Sequence, residues 1–500
     1  MDVCKTSDGG YLMVGTANLD TAFWGLLLGD GDFGAIRIDS VGNLIWKRTY
    51  GGNKLDAAMC VIKGIRSNRY YIAGVSRSES SNNYHSPSNL GDAWLITIDS
   101  AGNQLWNMCY GGYDGEAFNS LIQLGDSNII YGIGLTGSPS NSGDVSNNYN
   151  STVSGWICKI NANNGTLIKE RVFGGSHEDK LINSAKLNNN SFLVQAATQS
   201  RDHDVWTHYG NGQIVENGWL LNIDTALNIV WQKTIGTSGG VGGIGDVIKT
   251  QDGGFAVWGG TVNRPGDTSS FTFYVDTFPN GTRKQEAFII KYDSLGNELW
   301  QQHYGAPLDA VMPEGRFVQM QDKGFVFSSE VSKWHGFALW PYSYGSVLFR
   351  TDSAGNFVSA SRYGSGNGAG GLQVRNLFTT WDNKLIVTSR GSAACNLSNG
   401  VGWSIFQIGH QLAIEDNSKS APIVKIYPNP SSGLINIEIA KPEGIKRILI
   451  YNSLGKMIES KAVNTSLKHY RINLTGKPKG LYFIGIETER EMLFRKLILE

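Results

Sequence analysis

The chain has few cysteines, no long apolar run and no excess of either charge. Its cysteines are odd in number, widely spaced and without a CxxC pair, so they indicate neither a zinc site nor a disulfide framework. The 43 basic and 43 acidic side chains give a formal charge of zero, which excludes the basic field that nucleic-acid binding needs. The longest apolar run, near 23–28, is far too short to span a membrane.

The start of the chain also lacks the basic segment and apolar stretch of a secretory signal peptide. Its opening string, MDVCKTSDGGYLMVG, runs directly into a strand pattern. Either the protein is cytoplasmic, or Met1 is not its natural start.

Glycine and aromatic residues are abundant instead. Sixty-three glycines stand beside 14 Trp, 20 Tyr and 20 Phe. Glycine weakens helices, whereas aromatic side chains suit pleated surfaces. The composition therefore predicts an all-β chain of short strands and tight turns.

A string of the form Asp-Ser-x-Gly-Asn repeats with a period near sixty. Four clear copies begin at 39, 99, 293 and 352, and degenerate copies begin at 161 and 224. Each unit reads as two hairpins, that is, four strands. In four units a Trp follows the Asn by three residues: Trp46, Trp106, Trp231 and Trp300.

Four-stranded units of this length bury their faces by stacking radially, so the repeat predicts a β-propeller. The strand patterns give seven blades over 1–409, with eight as the alternative if a blade lies upstream. Blade seven lacks the hairpin that would supply its fourth strand. We expect either a segment upstream of Met1 to complete it, or residues 410–415 to serve as that strand.

The composition changes after the repeats. Residues 410–422 read as a polar linker, and residues 421–500 carry 13 Lys and Arg against 7 Asp and Glu. Six or seven short alternating strands in this basic segment predict a small, Ig-like β-sandwich over 423–500.

Three ordered motifs occupy this last segment: IYPNPSSG from 426, IYNSLGK from 450 and GLYF from 480, before a final strand KLIL from 496. Together they resemble the type A C-terminal sorting domain of the type IX secretion system of Bacteroidetes. The residues that carry the resemblance are Tyr427, Pro428, Asn429, Pro430, Gly433, Asn452, Gly455, Gly480, Tyr482 and Lys496.

The resemblance implies export to the outer-membrane surface or the extracellular space, with the secretion machinery and its sortase as partners of 423–500. It also implies a cleaved signal peptide, which favours a natural start upstream of Met1. The propeller repeat resembles, more loosely, glycine-rich blades of surface proteins from the same bacteria. That likeness implies fold and location only.

The long connections of the propeller all join the second and third strands of a blade, so they share one face, here called the loop face. They are residues 17–32, 76–92, 136–155, 199–218, 261–286, 330–345 and 390–402. Rings among amide and hydroxyl groups suit sugar faces, although each ring is as readily explained by packing. The ligand-binding candidates are Trp24, Tyr84, Tyr149, Trp206, His208, Tyr209, Tyr274, Trp334, Trp340 and Tyr342.

An acid follows the fourth strand in several blades: Asp56, Glu116, Asp179 and Asp309. A ring of carboxylates at the channel mouth is a weak catalytic candidate, and a backbone cap after Gly-Gly is the favoured interpretation.

The sequence therefore predicts a glycan- or surface-polymer-binding propeller, more readily than an enzyme. A polysaccharide hydrolase or lyase and a structural adhesion component are the alternatives. No metal site, cofactor, nucleic-acid partner or transmembrane segment is expected.

Overall fold

The computed structural model describes most of the chain. The described residues are 2–17, 24, 29–65, 68–79, 83–87, 90–125, 128–149, 152–210, 214–237, 242–261, 286–304, 310–332, 346–363, 373–379, 385–391, 402–408, 424–439, 445–452, 457–463, 467, 469–488 and 492–500.

Short antiparallel strands make up the first half of the chain. Blade one holds β1 (Asp2–Lys5), β2 (Tyr11–Ala17), β3 (Asp32–Ile38) and β4 (Leu44–Tyr50), and blade two holds β5 (Asp56–Lys63), β6 (Tyr70–Ser76), β7 (Asp92–Ile98) and β8 (Gln104–Tyr110). Blade three holds β9 (Glu116–Gln123), β10 (Ile129–Thr136), β11 (Ser154–Asn161) and β12 (Leu167–Phe173), and blade four holds β13 (Asp179–Lys186), β14 (Ser191–Thr198), β15 (Asn217–Asp224) and β16 (Ile229–Ile235).

The second half continues the pattern and then changes it. Blade five holds β17 (Gly242–Lys249), β18 (Phe255–Thr261), β19 (Glu286–Tyr292) and β20 (Glu298–Tyr304), and blade six holds β21 (Ala310–Gln319), β22 (Phe325–Ser332), β23 (Ser346–Thr351) and β24 (Phe357–Tyr363). Blade seven holds β25 (Gln373–Thr379), β26 (Leu385–Gly391) and β27 (Gly402–Ile408). The last segment holds β28 (Val424–Tyr427), β29 (Leu434–Ile439), β30 (Ile445–Asn452), β31 (Met457–Ala462), β32 (His469–Asn473), β33 (Gly480–Thr488) and β34 (Met492–Leu499).

The seven sheets form a closed ring. Each blade pairs its strands in chain order, and one parallel pair, Asn217 with Gly242, also links the sheets of blades four and five. The first strand of every blade contacts the first strand of the next, and β25 contacts β1. The first strands therefore line a central channel, and the predicted seven-bladed β-propeller is confirmed.

Apolar cores lie between successive blades from blade one to blade seven. Blades two and three, for example, enclose Tyr71, Leu95, Tyr110, Phe118 and Trp156. Similar clusters lie between each following pair of blades through blade seven. Burying one such aromatic or leucine side chain contributes roughly 1.5–3 kcal/mol, so radial stacking supplies the stability that a lone blade lacks.

The repeated Asp-Ser-x-Gly-Asn string closes the turn between strands three and four. Asp99 Oδ1 accepts hydrogen bonds from the backbone N–H groups of Ala101 and Asn103, each at 2.8 Å. Gly102 has a φ of 81°, a value that favours glycine. The predicted turn chemistry is therefore present.

The same turn connects neighbouring blades through a contact that we call the latch. The Tyr110 hydroxyl of blade two donates to the Gly165 carbonyl of blade three at 2.6 Å. A Cβ on Gly165 would lie 2.9 Å from the Trp106 ring, so glycine lets that ring lie against the turn. Equivalent latches join Tyr50 to Gly102 and Tyr304 to Gly355, both at 2.7 Å.

Blade seven contributes three described strands. Residues 410–415, the alternative fourth strand, lie outside the described residues, as does the predicted linker 410–422. How this blade is completed stays a prediction.

The C-terminal segment is a small β-sandwich. One sheet has the order β28-β29-β32 and the other β31-β30-β33-β34. Their inner faces share one core that includes Ile437, Ile450, Tyr470, Ile484 and Leu497. The alternation of apolar and polar residues in the sequence predicted this architecture.

Candidate functional site on the loop face

Contacts with the outer strands of two blades hold the loop of blade four. Asp204 forms an ion pair of 2.7 Å with Arg171 of blade three, and its carbonyl accepts a hydrogen bond from Gln232 at 2.5 Å. The Gln232 side chain also accepts from the backbone N–H of Trp206 at 3.2 Å. Burial raises the pKa of Asp204, although the Arg171 charge opposes this effect. The loop backbone is thus fixed from both neighbouring strands.

Two of the predicted rings lie on this loop and its neighbour. Tyr149 of blade three stacks on His203 of blade four, with centroids 4.6 Å apart and planes 13° apart. Tyr149 keeps 40 % of its surface exposed, and Trp206, three residues beyond His203, keeps 62 %. Burial and the Asp204 charge raise the pKa of the Tyr149 hydroxyl. These three side chains form what we call the aromatic patch.

His208 and Tyr209 make hydrogen bonds to backbone and side-chain groups of their own loop and of β15. His208 Nδ1 accepts a hydrogen bond from Gly210 N–H at 3.0 Å, so its Nε2 carries the proton toward the Val215 carbonyl at 2.9 Å. Burial lowers the pKa of His208, which favours this neutral form. Tyr209 donates its backbone N–H to Asn217 at 2.9 Å and is half-buried. Both residues therefore shape the loop.

Trp24 and Tyr84 pack onto the propeller. A Cβ on Gly34 would lie 2.8 Å from the Trp24 ring, so that ring covers β3. Tyr84 packs against the apolar core between blades one and two. The structure therefore does not bring these two rings to the aromatic patch. Four further candidates, Tyr274, Trp334, Trp340 and Tyr342, lie outside the described residues.

Three of the four acids occupy the same position in successive blades. Asp56, Glu116 and Asp179 each begin the first strand of a blade and are at most 2 % exposed. Asp309 lies outside the described residues.

Each of these acids accepts one hydrogen bond from the second glycine of the Gly-Gly pair before it, from Gly52, Gly112 or Gly175, at 2.8, 2.9 and 2.8 Å. Hydroxyl groups at the end of the second strand supply further donors to them, from Ser76 and Ser78, from Thr136, and from Ser200. These contacts fix the connection between blades.

Burial sets the acidity of two of these groups. It raises the pKa of Glu116 and of Asp179, and the hydrogen bonds that both carboxylates accept oppose the rise. The three acids serve three different blade junctions.

A polar cluster between blades two and three has no signature in the sequence. His85 lies 3.3 Å from Asp92 through its Nδ1 and also donates its backbone N–H to that carboxylate at 2.6 Å. The hydrogen bond to Asp92, with the charges of Asp144 and Glu116, raises the pKa of His85. The spacing of these four residues carries no motif, so only the fold reveals the cluster.

Within the described ranges, no group of three or more His, Cys, Asp and Glu side chains is arranged to hold a metal ion. In the same residues, no helix has both the length and the apolar composition to cross a membrane.

The tail motif residues fix the start and the end of the sandwich. Asn429 accepts a hydrogen bond from Ile498 N–H at 2.9 Å, so the first motif is tied to the last strand. Gly433 has a φ of 125°, and a Cβ there would lie 2.8 Å from the Thr475 backbone.

The second and third tail motifs and the final strand lie on the sheet β31-β30-β33-β34. Asn452 pairs with Tyr482, whose hydroxyl donates to Pro478 at 2.8 Å, and Lys496 pairs with Phe483. Gly480 begins β33 with a φ of 136°. Tyr427 ends β28, and the bonds before Pro428 and Pro430 are cis. Gly455 lies outside the described residues.

Three solved structures are similar to this chain at low identity. Hydrazine synthase from Kuenenia stuttgartiensis is 11 % identical, with 81 % of this chain and 94 % of that one covered and a TM-score of 0.41. Sqt1 of Chaetomium thermophilum, solved with the N-terminus of ribosomal protein L10, is 9 % identical, with 100 % and 96 % covered and a TM-score of 0.40. Apocarotenoid oxygenase from Synechocystis is 12 % identical, with 72 % and 71 % covered and a TM-score of 0.37. The propeller fold of this chain follows from its strand order and its closed ring of first strands.

No curated protein matches the sequence. Residues 425–500 match the family described as secretion system C-terminal sorting domain, which agrees with the three tail motifs. A sorting tail of this kind implies processing by the secretion machinery and export to the cell surface or the extracellular space. The chain is therefore a β-propeller protein that carries a type IX secretion C-terminal sorting domain at 425–500.

Proposed function

We propose that this exported propeller binds a glycan or another cell-surface polymer through the aromatic patch of blades three and four. The observation that carries the proposal is the exposed Trp206 on the same loop as His203, whose ring stacks on Tyr149, with the loop held by hydrogen bonds with Gln232. Aromatic faces pack on the C–H surface of a sugar ring, and nearby polar groups bind its hydroxyls. A fixed loop also lowers the entropy lost on binding.

The contacts of the acids support binding rather than hydrolysis. Asp56, Glu116 and Asp179 are buried and hold the blade junctions, so they are poorly placed to touch a polymer. A polysaccharide hydrolase or lyase stays the alternative, because raised pKa values at Glu116 and Asp179 suit a general acid. Turnover on a polysaccharide panel that disappears in Asp179→Asn protein would favour that alternative.

A structural adhesion component is a further alternative. It predicts a partner protein in pull-downs and no saccharide binding.

For the tail, we propose that the sortase of the type IX machinery removes it, with release or surface anchoring of the propeller.

A glycan array tests the main proposal. We expect Trp206→Ala and Tyr149→Ala each to weaken binding of the positive glycans about tenfold or more, because each removes a ring face. Leu299→Ala is the control, since Leu299 is 56 % exposed on the outer strand of blade five. Binding that persists in both ring variants would exclude the aromatic patch.

A further inference from the structure

Two residues attach the loop of blade two to the sheet of its own blade. His85 donates its backbone N–H to Asp92 Oδ2 at 2.6 Å, and its Nδ1 lies 3.3 Å from the same oxygen. Asn83 donates its side-chain amide to the Cys109 carbonyl at 3.2 Å. Asp92 begins β7 and Cys109 lies near the end of β8, so segment 83–87 rests on the loop-face end of blade two.

Asp92 depends on His85 for its hydrogen bonds. Its side chain is 0 % exposed, and among the described residues its second oxygen, Oδ1, accepts no hydrogen bond. A buried carboxylate is stable as a charged group only when a cation or enough donors face it. The state of His85 therefore decides how well this carboxylate is compensated.

Two further acids lie at the same junction. A Cβ on Gly111 would lie 2.5 Å from Glu116 Oε2 and 3.2 Å from Asp92 Oδ1, so the two acids share the space beside this glycine. Asp144, on the loop of blade three, accepts from the Gly111 N–H at 3.1 Å and donates its own N–H to the Gly111 carbonyl at 2.8 Å. The charges of Asp144 and Glu116 both act on His85. Three carboxyl groups from three segments thus surround one imidazole.

Burial makes this junction sensitive to protons. It raises the pKa of Glu116 and of Asp144, and the hydrogen bonds that these acids accept oppose the rise. The contact with Asp92 raises the pKa of His85, although burial opposes this effect. The His85 side chain is 25 % exposed, so it can exchange protons with solvent on the loop face.

The neighbouring charged groups add little positive charge to the cluster. Glu170 of β12 adds a further negative charge beside Asp144. Lys54 is already paired with Glu79 at 2.6 Å, and Arg77, at the start of the loop of blade two, is exposed. Water screens an exposed charge, so Arg77 compensates a buried carboxylate only weakly.

The neutral titratable groups of this junction keep their protons. Burial raises the pKa of Tyr84, Tyr110 and Cys158, so all three stay protonated from mildly acidic to mildly alkaline pH. Cys109 lies fully buried in the apolar core between blades one and two. A change of charge in this pH range is therefore expected at His85.

We propose that His85 is a pH-operated clasp, which holds the loop of blade two closed when its imidazole is protonated and releases the loop when the imidazole is neutral. Because closure raises the pKa of His85, its contribution to closure is fully present below the ordinary histidine pKa of about 6.5 and is lost as pH rises through the raised value. Glu116 and Asp144 do not offset this loss, since burial disfavours their charged forms. The clasp needs no ligand, so it stands apart from the proposed binding at the aromatic patch.

Hydrogen–deuterium exchange of the full chain tests the clasp, with each rate corrected for the intrinsic effect of pH on amide exchange. Between pH ~6 and pH ~8.5, we expect the protection of segment 83–87 to fall at least about threefold, because a neutral His85 no longer makes a charge-assisted hydrogen bond to Asp92. Segment 219–223 of β15, which is buried in blade four, provides the reference and should keep its protection. Equal protection of 83–87 at both pH values would overturn the proposal.

Two histidine variants locate the effect. His85→Gln keeps the backbone N–H but cannot become charged, so we expect low protection of 83–87 at both pH values and no pH response. His303→Gln is the matched control, because His303 is exposed on the outer strand of blade five and its loss should leave the response unchanged. A full pH response in His85→Gln protein would refute the assignment to His85.

Nuclear magnetic resonance of ring-labelled histidine gives a second measurement. We expect the His85 signal, identified by its loss in His85→Gln protein, to titrate above about 6.5 and to move to a lower value in Asp144→Asn protein. That variant removes one negative charge, while its amide oxygen can still accept from Gly111. A midpoint at or below the ordinary value, or one that does not respond to the loss of the Asp144 charge, would also overturn the clasp.

Discussion

The latch between blades two and three gives a quantitative test of how the ring is stabilised. Tyr110 is 1 % exposed, and its hydroxyl donates to the buried Gly165 carbonyl at 2.6 Å. Tyr110→Phe removes one hydrogen bond, at a net cost of about 1 kcal/mol, and leaves the carbonyl with one donor fewer. We therefore expect the free energy of unfolding to fall by about 1–2 kcal/mol, measured from urea midpoints with an unchanged m-value.

Two comparisons make this test specific. Tyr304→Phe, which removes the equivalent latch of blade five, should cost a similar amount, because its bond to Gly355 has nearly the same length. Tyr113→Phe should cost almost nothing, since Tyr113 is 62 % exposed. Midpoints for Tyr110→Phe that coincide with those of Tyr113→Phe would refute a stabilising role for the latch.

Three further predictions follow from single contacts. Hydrogen bonds from Asn103 lower the pKa of Asp99, so its contribution to stability is present above the unfolded-state pKa of about 3.9 and is lost as pH falls toward the folded value. The drop in urea midpoint between pH 7 and pH 3 should therefore be smaller for Asp99→Asn than for the unchanged chain. Arg316→Met leaves the buried Asp246 without its cation and should lower the free energy of unfolding by roughly 1–3 kcal/mol at pH 7, less than for a fully buried pair because the Arg316 side chain is 31 % exposed. Adding Asp246→Asn should restore most of this loss, and no recovery would argue against the pairing. Gly433→Ala places a Cβ 2.8 Å from the Thr475 backbone, so we expect a bacterium with a type IX system to export less of the protein, measured as its amount in the culture medium. Normal export would show that this turn tolerates the change.

Much of the fold was predictable because its signals are local. The turn at Asp99 needs only an acid, a glycine and an asparagine at fixed spacing, and the same three residue types recur at this spacing in other blades. The alternation in the tail likewise fixes which side chains face the core of the sandwich. The sequence also indicated that the acids cap turns, an interpretation that the contacts of Asp56 support.

The remaining features depend on contacts between distant blades. The hydroxyl partners of the acids lie some twenty residues away, at the end of another strand. The equivalence of positions as far apart as Lys5 and Lys249, each at the end of a first strand, becomes visible only through the strand register. In blade four, the turn between strands three and four keeps its contact with the preceding blade although both the glycine and the tyrosine of the latch are replaced. This turn has Leu227, with a φ of 69°, in place of glycine, and Arg171 rather than a tyrosine donates to its carbonyl at 2.8 Å.

Every latch has its donor earlier in the chain than its acceptor, and the two are about fifty residues apart, as in Tyr50 with Gly102 and Tyr304 with Gly355. A chain that emerges amino-terminus first can therefore complete each blade junction soon after the next blade has formed. Only the seam between the last blade and the first requires the two ends of the ring to meet. Assembly thus has a built-in direction, and its slow, long-range step is confined to one place.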